Sequence, residues 1–280
     1  MRIIRNKDIK HKRITVGDIG IAYLIREAVA PTTDLKTVVF IHGFPFDKNM
    51  WIAQLEALPE NVTGIAVDVR GHGNSTIGHG FFSVDLFAGD LLEFFRKMNI
   101  DKAIVCGVSM GGYIALRAHQ MKPNKFAGLI LSDTNSIADD NEAKIKRFET
   151  IRSVLQHGNR TFAISFADRV FSAHSRKTRK DAVELIKNSI RRNNIRAICA
   201  TLLALAARTD TTAHLPEIKI PTLLLWGAED EVTPREQADH LMKHLPQAKF
   251  VEFARCGHLP NLEDSDGFNE ALLNYIGTLP

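Results

Sequence analysis

Six five-residue runs of largely apolar composition, at 37–41, 63–67, 102–106, 127–131, 222–226 and 249–253, each stop at a Gly, Asp, Ser or a turn cluster. Apolarity that is continuous rather than alternating requires cover on both faces, which is the condition of a strand inside a parallel sheet. Between these runs lie segments with helical periodicity, at 50–58, 83–98, 111–121, 235–244 and 266–276. Upstream, residues 13–16 and 19–26 are β-rich and flank Gly17-Asp18, a turn pair suited to an antiparallel hairpin. The alternation predicts an α/β domain with a mostly parallel eight-stranded sheet flanked by helices.

One stretch interrupts the pattern. Residues 136–213 read as four helical segments in succession with no strand, an insertion that divides the chain into a core of 1–135 plus 214–280 and a helical cap or lid of 136–213. Within it, Ile145, Phe148, Ile151 and Leu155 recur at helical spacing, so this segment is expected to bury that face and expose Lys144, Lys146, Arg147 and Arg152. Residues 195–207 are apolar almost all round, which suits the interior of the cap and, for part of its length, a pocket wall.

With 280 residues, 45% hydrophobic and 24% charged, the chain is sized for one domain carrying an insertion, and disorder or a disulfide scaffold is excluded. Three cysteines, Cys106, Cys199 and Cys256, show neither CxxC pairing nor metal-ligand spacing, which fits a reducing compartment, the cytoplasm, and argues against structural zinc. The basic N-terminal 14 residues lack an apolar run of signal-peptide length, and no stretch approaches the roughly 20 apolar residues of a membrane span. A formal charge of +4 is too mild to indicate a nucleic-acid partner.

The chemistry concentrates in residues 104–116, an apolar strand followed by Gly107-Val108-Ser109-Met110-Gly111 and then a helix. A sharp strand-to-helix turn forces strain on Ser109 and leaves no room for side chains at the flanking glycines, so its hydroxyl projects alone above the sheet. A serine hydroxyl needs a general base, itself oriented by a carboxylate. In the order Ser, acid, His, the leading acid is Asp230, in the loop that leaves the strand at 222–226; Glu229 and Glu231 adjoin it, and Asp133 after the preceding strand is the alternative. The base is His258, beyond the last strand in Gly257-His258. His42 and His72, in glycine-rich turns, read as loop organisers, and His240 and His244 as solvated residues of a charged helix. An oxyanion needs aimed N–H donors. After the strand at 37–41, His42-Gly43-Phe44-Pro45 can offer the N–H of Phe44 opposite that of Met110, whereas Pro45 has none. The side chains of Phe44 and Met110 are then expected on the pocket wall.

Taken together, His42-Gly43-Phe44-Pro45, the turn Asp68-Val69-Arg70-Gly71-His72-Gly73-Asn74-Ser75, Gly107-Val108-Ser109-Met110-Gly111-Gly112, Trp226-Gly227-Ala228-Glu229-Asp230 and Gly257-His258 resemble the α/β-hydrolase superfamily. Within it the sequence is most similar to the esterase, 3-oxoadipate enol-lactonase and cofactor-free haloperoxidase branch, whose members carry a helical cap. The resemblance implies Ser109 as nucleophile, His258 as base, Asp230 as its orienter and Phe44 and Met110 as oxyanion donors, with no metal or organic cofactor. Ser109 also sets the chain apart from haloalkane dehalogenases and many epoxide hydrolases, which carry aspartate at that turn. The expected function is hydrolysis of a small carboxylic ester or lactone through an acyl-enzyme. Perhydrolysis, carbon–carbon bond hydrolysis and cyanohydrin cleavage use the same triad, and a ligand-sensing receptor is the reading from another class.

The mild overall charge is unevenly spread. Residues 137–213 hold 15 Lys plus Arg against 8 Asp plus Glu, a balance of +7, and the remainder of the chain holds 21 against 24. Most of that basic surface is expected to be solvated helix, with part of it available to attract anionic substrates. The sequence sets no oligomeric state.

Overall fold

The computed structural model describes residues 8–29 and 36–279. The first seven residues, which carry Arg2, Arg5 and Lys7 of the basic N-terminus, lie outside them. In chain order the elements are strands β1 (Lys10–Val16), β2 (Ile19–Arg26) and β3 (Lys36–Ile41), helix α1 (Ile52–Ala57), β4 (Val62–Val67), α2 (Val84–Lys97), β5 (Ala103–Val108), α3 (Met110–Met121) and β6 (Phe126–Ser132). Helices α4 (Asn141–Val170), α5 (Ala173–Thr178), α6 (Lys180–Arg192) and α7 (Ile195–Ala206) follow without a strand between them. The chain ends with β7 (Thr222–Gly227), α8 (Arg235–His244), β8 (Lys249–Phe253), α9 (Pro260–Glu263) and α10 (Ser265–Gly277).

All eight strands form one sheet in the order β1-β2-β4-β3-β5-β6-β7-β8. Strand β2 runs antiparallel to β1 and β4, and every later pairing is parallel. The strands that read as continuously apolar occupy the middle: β5 and β7 are buried at every position. The outermost β1 presents Lys10, His11, Lys12 and Arg13 to solvent, a charged edge of the kind that discourages strand addition. β8 differs from expectation. It is the other edge, where Lys249 and Glu252 are exposed and Arg235 of α8 pairs with Glu252 and lies over the Phe250 ring.

The chain goes from β3 to β4 on one side and then crosses to β5 on the other, so the order reverses between β3 and β5, where Ile41 stands opposite Gly107. Loops leaving the carboxyl ends of strands at such a reversal splay apart and leave a crevice. The turns after β3 and β5, which carry Phe44 and Ser109, flank it.

Helices α4 to α7 leave β6 and return to β7, which are neighbours in the sheet. Their two connections are tied to each other: Thr211 N–H donates to Ser136 O at 2.8 Å and Ala138 N–H to Asp210 Oδ2 at 3.1 Å. α4 breaks at Gly158, whose φ of 77° is open to glycine without penalty. Its first half corrects an expectation. Ile145, Phe148 and Leu155 are 57%, 51% and 65% exposed, Val154 is the fully buried residue of that half, and Arg147 turns inward to pair with Asp139. Periodicity identifies a face but not which side meets the interior; here the polar side, with Lys146, Arg147, Thr150 and Ser153, lines a cavity. α7 behaves as its composition predicts, burying Ala197, Ile198 and Leu202. Among the described residues, no helix is long and apolar enough to cross a membrane.

Candidate active site

Ser109 stands between β5 and α3 at φ 53°, ψ −117°, a region that costs a non-glycine residue about 1–3 kcal/mol and persists only when its surroundings impose it. Its main chain is held on both sides: Ser109 N–H donates to Ser132 O at 2.9 Å, and Ser109 O accepts from Thr134 Oγ1 at 2.7 Å, Gly112 N–H at 2.9 Å and Tyr113 N–H at 3.3 Å. The glycines matter for the reason the sequence suggests. A β-carbon at Gly107 would run into the backbone of Gly111, and one at Gly111 into the carbonyl oxygen of Ile41.

Across the crevice, a β-carbon at Gly43 would lie 3.3 Å from Ser109 Cβ, so the loop after β3 passes directly beside the serine. Among the described residues, no acceptor takes the N–H of Phe44 or of Met110. The loop is braced from behind: His42 Nδ1 donates to Gly43 O at 2.9 Å and His42 Nε2 accepts from Val69 N–H at 3.0 Å. Burial holds His42 neutral, its pKa lowered to about 4, which suits a ring that must both donate and accept. The turn at 68–75 is structural, as its sequence suggests. Asp68, fully buried, accepts from Lys48 Nζ at 2.6 Å and from Asn74 N–H at 2.8 Å, and Arg70 forms a two-pronged pair with Asp90.

Asp230 and His258 meet at the ends of β7 and β8. His258 Nδ1 lies 2.8 Å from Asp230 Oδ2, and both side chains are buried. Asp230 Oδ1 also accepts from Val232 N–H at 2.7 Å and Thr233 N–H at 3.1 Å, and Thr233 Oγ1 donates to Oδ2. Burial alone would raise the Asp230 carboxyl, but His258 and these donors hold it below the ordinary carboxylate value. An ionised Asp230 can only accept, so Nδ1 carries the ring proton and Nε2 presents a lone pair.

Asp133, the alternative acid, lies alongside: Asp133, Asp230 and His258 place one polar atom each within 4.8 Å of one another. The lone pairs of Asp133 are taken by Gly227 N–H at 2.8 Å and Ser132 Oγ at 2.6 Å, and burial and the charge of Asp230 push its carboxyl well above the usual range. Donors from this chain thus occupy both oxygens of each of these two carboxyl groups. Glu229 and Glu231 are exposed.

Ser109, Phe44 and Thr233 share one cavity of about 860 Å³ beneath α4 and α7. Phe44, Phe162 and Phe166 form an aromatic wall, with ring centroids 5.1–6.4 Å apart, and Leu202 and Leu205 of α7 add to it. Met110, expected on this wall, is wholly buried: at the first position of α3 its side chain packs into the core cluster, which leaves its N–H as its contribution here. Arg208 lies 4.5 Å above the Tyr113 ring and shares Asp139 with Arg147. Sequence reading missed Thr233, three residues after the acid in a loop whose Asp-x-x-Thr spacing is a local side-chain-to-backbone motif, and it missed Tyr113 and Arg208, which no pattern marks. His240 is half-buried rather than solvated, with Nε2 3.3 Å from Thr212 Oγ1.

This fold and this crevice define a class. A sequence model of the alpha/beta hydrolase fold family matches residues 36–265, and the chain belongs to that family. It is 25% identical over 259 residues, 92% of this chain and 94% of the relative, to 3-oxoadipate enol-lactonase 2 of Acinetobacter baylyi. A thermophilic esterase from Thermogutta terrifontis superimposes with a TM-score of 0.88 at 29% identity, covering 96% of this chain and 98% of that one. The enol-lactonase from Burkholderia xenovorans LB400 shares the fold with a TM-score of 0.87 at 22% identity over 95% of this chain and all of that one.

Proposed function

We propose that this protein is a serine hydrolase of small carboxylic esters or lactones, with Ser109 as nucleophile, His258 as base and Asp230 as the acid that orients it. The observation that carries the reading is the buried Asp230–His258 pair, which fixes the imidazole tautomer and whose partner Thr233 lines the same cavity as the strained Ser109. The enzymes named among its relatives, an enol-lactonase and an esterase, support the substrate class.

His258 Nε2 takes the Ser109 hydroxyl proton as the oxygen attacks the substrate carbonyl. The developing oxyanion accepts from the N–H groups of Phe44 and Met110, donors fixed before the reaction begins. The tetrahedral intermediate collapses as His258 protonates the leaving alcohol, and water repeats the sequence to free the acid and Ser109. The chemistry uses side chains and backbone donors of this chain alone. Residues 136–213 act as a cap that closes the acyl pocket, with Phe44 contributed by the core.

The test is hydrolysis of short p-nitrophenyl esters and a lactone panel by the intact protein and by Ser109→Ala. The variant is expected to lose kcat by about 10⁴-fold or more. Undiminished turnover by Ser109→Ala would rule the assignment out.

A further inference from the structure

Two groups of polar contacts join residues 136–213 to the loops of the proposed site, one beside His258 and one beside Phe44. The first is at the base. His258 N–H donates to Val170 O at 2.8 Å, and the carboxyl of Glu263 accepts Leu259 N–H at 3.1 Å on one oxygen and Ser172 N–H at 2.9 Å on the other. Ser172 Oγ donates to Arg255 O at 2.8 Å, and Arg179 Nε to Glu263 O at 2.9 Å. Gly257 makes the approach possible, since a β-carbon there would lie 2.8 Å from Ser172 N and 2.9 Å from Val170 O. Glu263 is buried, and its two oxygens thus fasten a cap residue to the residue that follows the base.

The second contact is at the oxyanion side. Asn193, buried at the end of α6, donates from Nδ2 to Pro45 O at 2.8 Å and accepts Gly73 N–H on Oδ1 at 2.8 Å. Asn159 Nδ2 donates to Asn193 O at 3.0 Å and anchors it within the cap. One amide therefore fastens the peptide after Phe44 to the turn at 68–75 and both to the cap.

We propose that Glu263 and Asn193 are positioning residues, through which the cap sets the location of His258 and of the Phe44 N–H. Both are placed for alignment: each satisfies partners on two separate loops, and neither lines the cavity that receives substrate. A buried N–H or C=O left without its partner loses its water without compensation and relaxes by moving its loop. A displacement of about 1 Å in a catalytic group can cost 10²-fold in rate. The cap is on this reading part of the catalytic apparatus as well as the roof of the pocket. The inference rests on the assignment of Ser109 and His258 made above.

The experiment uses the full chain with Glu263→Gln, Asn193→Asp and, as a cap-surface control, Phe148→Ser. Glu263→Gln turns an NH2 group towards one of the two N–H donors, and Asn193→Asp removes the donor to Pro45 O without changing shape. Active sites are counted by a p-nitrophenyl phosphonate burst, and kcat and KM on p-nitrophenyl butyrate are expressed per titrated site. In both variants kcat per site is expected to fall by about 10–100-fold with KM little changed, the signature of misaligned groups, while Phe148→Ser matches the parent. A residue that only supports the fold would lower the thermal midpoint and the titratable fraction but leave kcat per site intact, and that result in both variants overturns the proposal. Should either fail to fold, Ser172→Ala, which removes the Oγ bond to Arg255 O together with those to Ser175, and Asn159→Ala, which removes the Nδ2 bonds to Arg191 O and Asn193 O, are expected to lower kcat per site less, in the same sense; no change there overturns it equally. Ser109→Ala run alongside separates the two readings: activity that survives it sinks the nucleophile, whereas an inactive Ser109→Ala beside fully active Glu263→Gln and Asn193→Asp sinks the positioning role alone.

Discussion

Asp133 and Asp230 hold carboxyl oxygens within 4.8 Å of each other in a buried site, and their affinities for a proton are displaced in opposite directions. Burial and the neighbouring charge push the Asp133 carboxyl well above its usual range, whereas His258 and three donors from Val232 and Thr233 hold Asp230 below it. Asp230→Asn should therefore lower kcat/KM by about 10³–10⁴-fold, through loss of the tautomer that leaves Nε2 free. Asp133→Asn keeps the shape of a side chain whose carboxyl resists ionisation and should leave kcat/KM close to the parent. Rates of the two single variants on one ester substrate check both outcomes.

The same pair makes a stability prediction. The folded-state pKa of Asp133 is raised, so its contribution is present below the unfolded value near 3.8 and is lost as pH rises through the folded one. Asp133→Asn should gain stability relative to the parent as pH rises, which urea unfolding at pH 5 and pH 8 will register.

Three buried imidazoles act in the opposite direction. Burial lowers His42 to about 4 and His119 to about 4, the latter with help from His214, and lowers His72 to about 3. Each folded-state pKa lies below the unfolded 6.5, so each group stabilises the fold above pH 6.5 and loses that contribution as pH falls towards 4. The thermal midpoint should drop by on the order of several degrees across that window, partly offset by Asp133. His119→Gln should flatten the profile relative to the parent, since His119 and His214 sit 3.0 Å apart at the joint between α3 and the segment that re-enters from the cap.

The turn around Ser109 has no room for a β-carbon at Gly107 or Gly111. Gly111→Ala should cost about 3 kcal/mol or more, because its methyl group would meet the Ile41 carbonyl in the strand beside it and that backbone cannot retreat. Soluble yield and denaturant midpoint give the answer; a parent-like midpoint would contradict the packing.

On α4 the exposed stripe and the buried residue beside it should respond oppositely. Phe148→Ser is expected to move the thermal midpoint by no more than about 2 °C, whereas Val154→Ala should cost about 1–3 kcal/mol. Calorimetry of the two variants distinguishes a surface stripe from a core one.

Much of this was legible in the sequence, for identifiable reasons. The β5–Ser109–α3 turn is encoded locally: strand, glycines and helix are contiguous, and the crowding that demands glycine arises among neighbours in the chain. Strand β7 was visible because it is buried on both faces, while β8 was misjudged because an edge position depends on what the chain fails to place beside it. The stripe of Ile145, Phe148 and Leu155 shows the limit most directly. Its spacing is correctly helical, yet which side faces inward is decided by the cavity and by Asp139, eight residues before Arg147. Glu263 and Asn193 were invisible for a related reason: an acid and an amide in loops become informative only when the backbone groups they satisfy, from segments up to 148 residues away, are known.

The ends of the α4–α7 excursion are stitched together between Ser136 and Thr211 before they reach adjoining strands, so the sheet experiences it as a closed appendage. Such an appendage is interchangeable: a different run of helices could be grafted there without asking β6 and β7 to find each other anew. The graft would fold, and it would bring a new pocket. Whether it brought speed would turn on its carrying the two small fittings at 170–172 and 193, the places where the insertion meets the loops of His258 and Phe44.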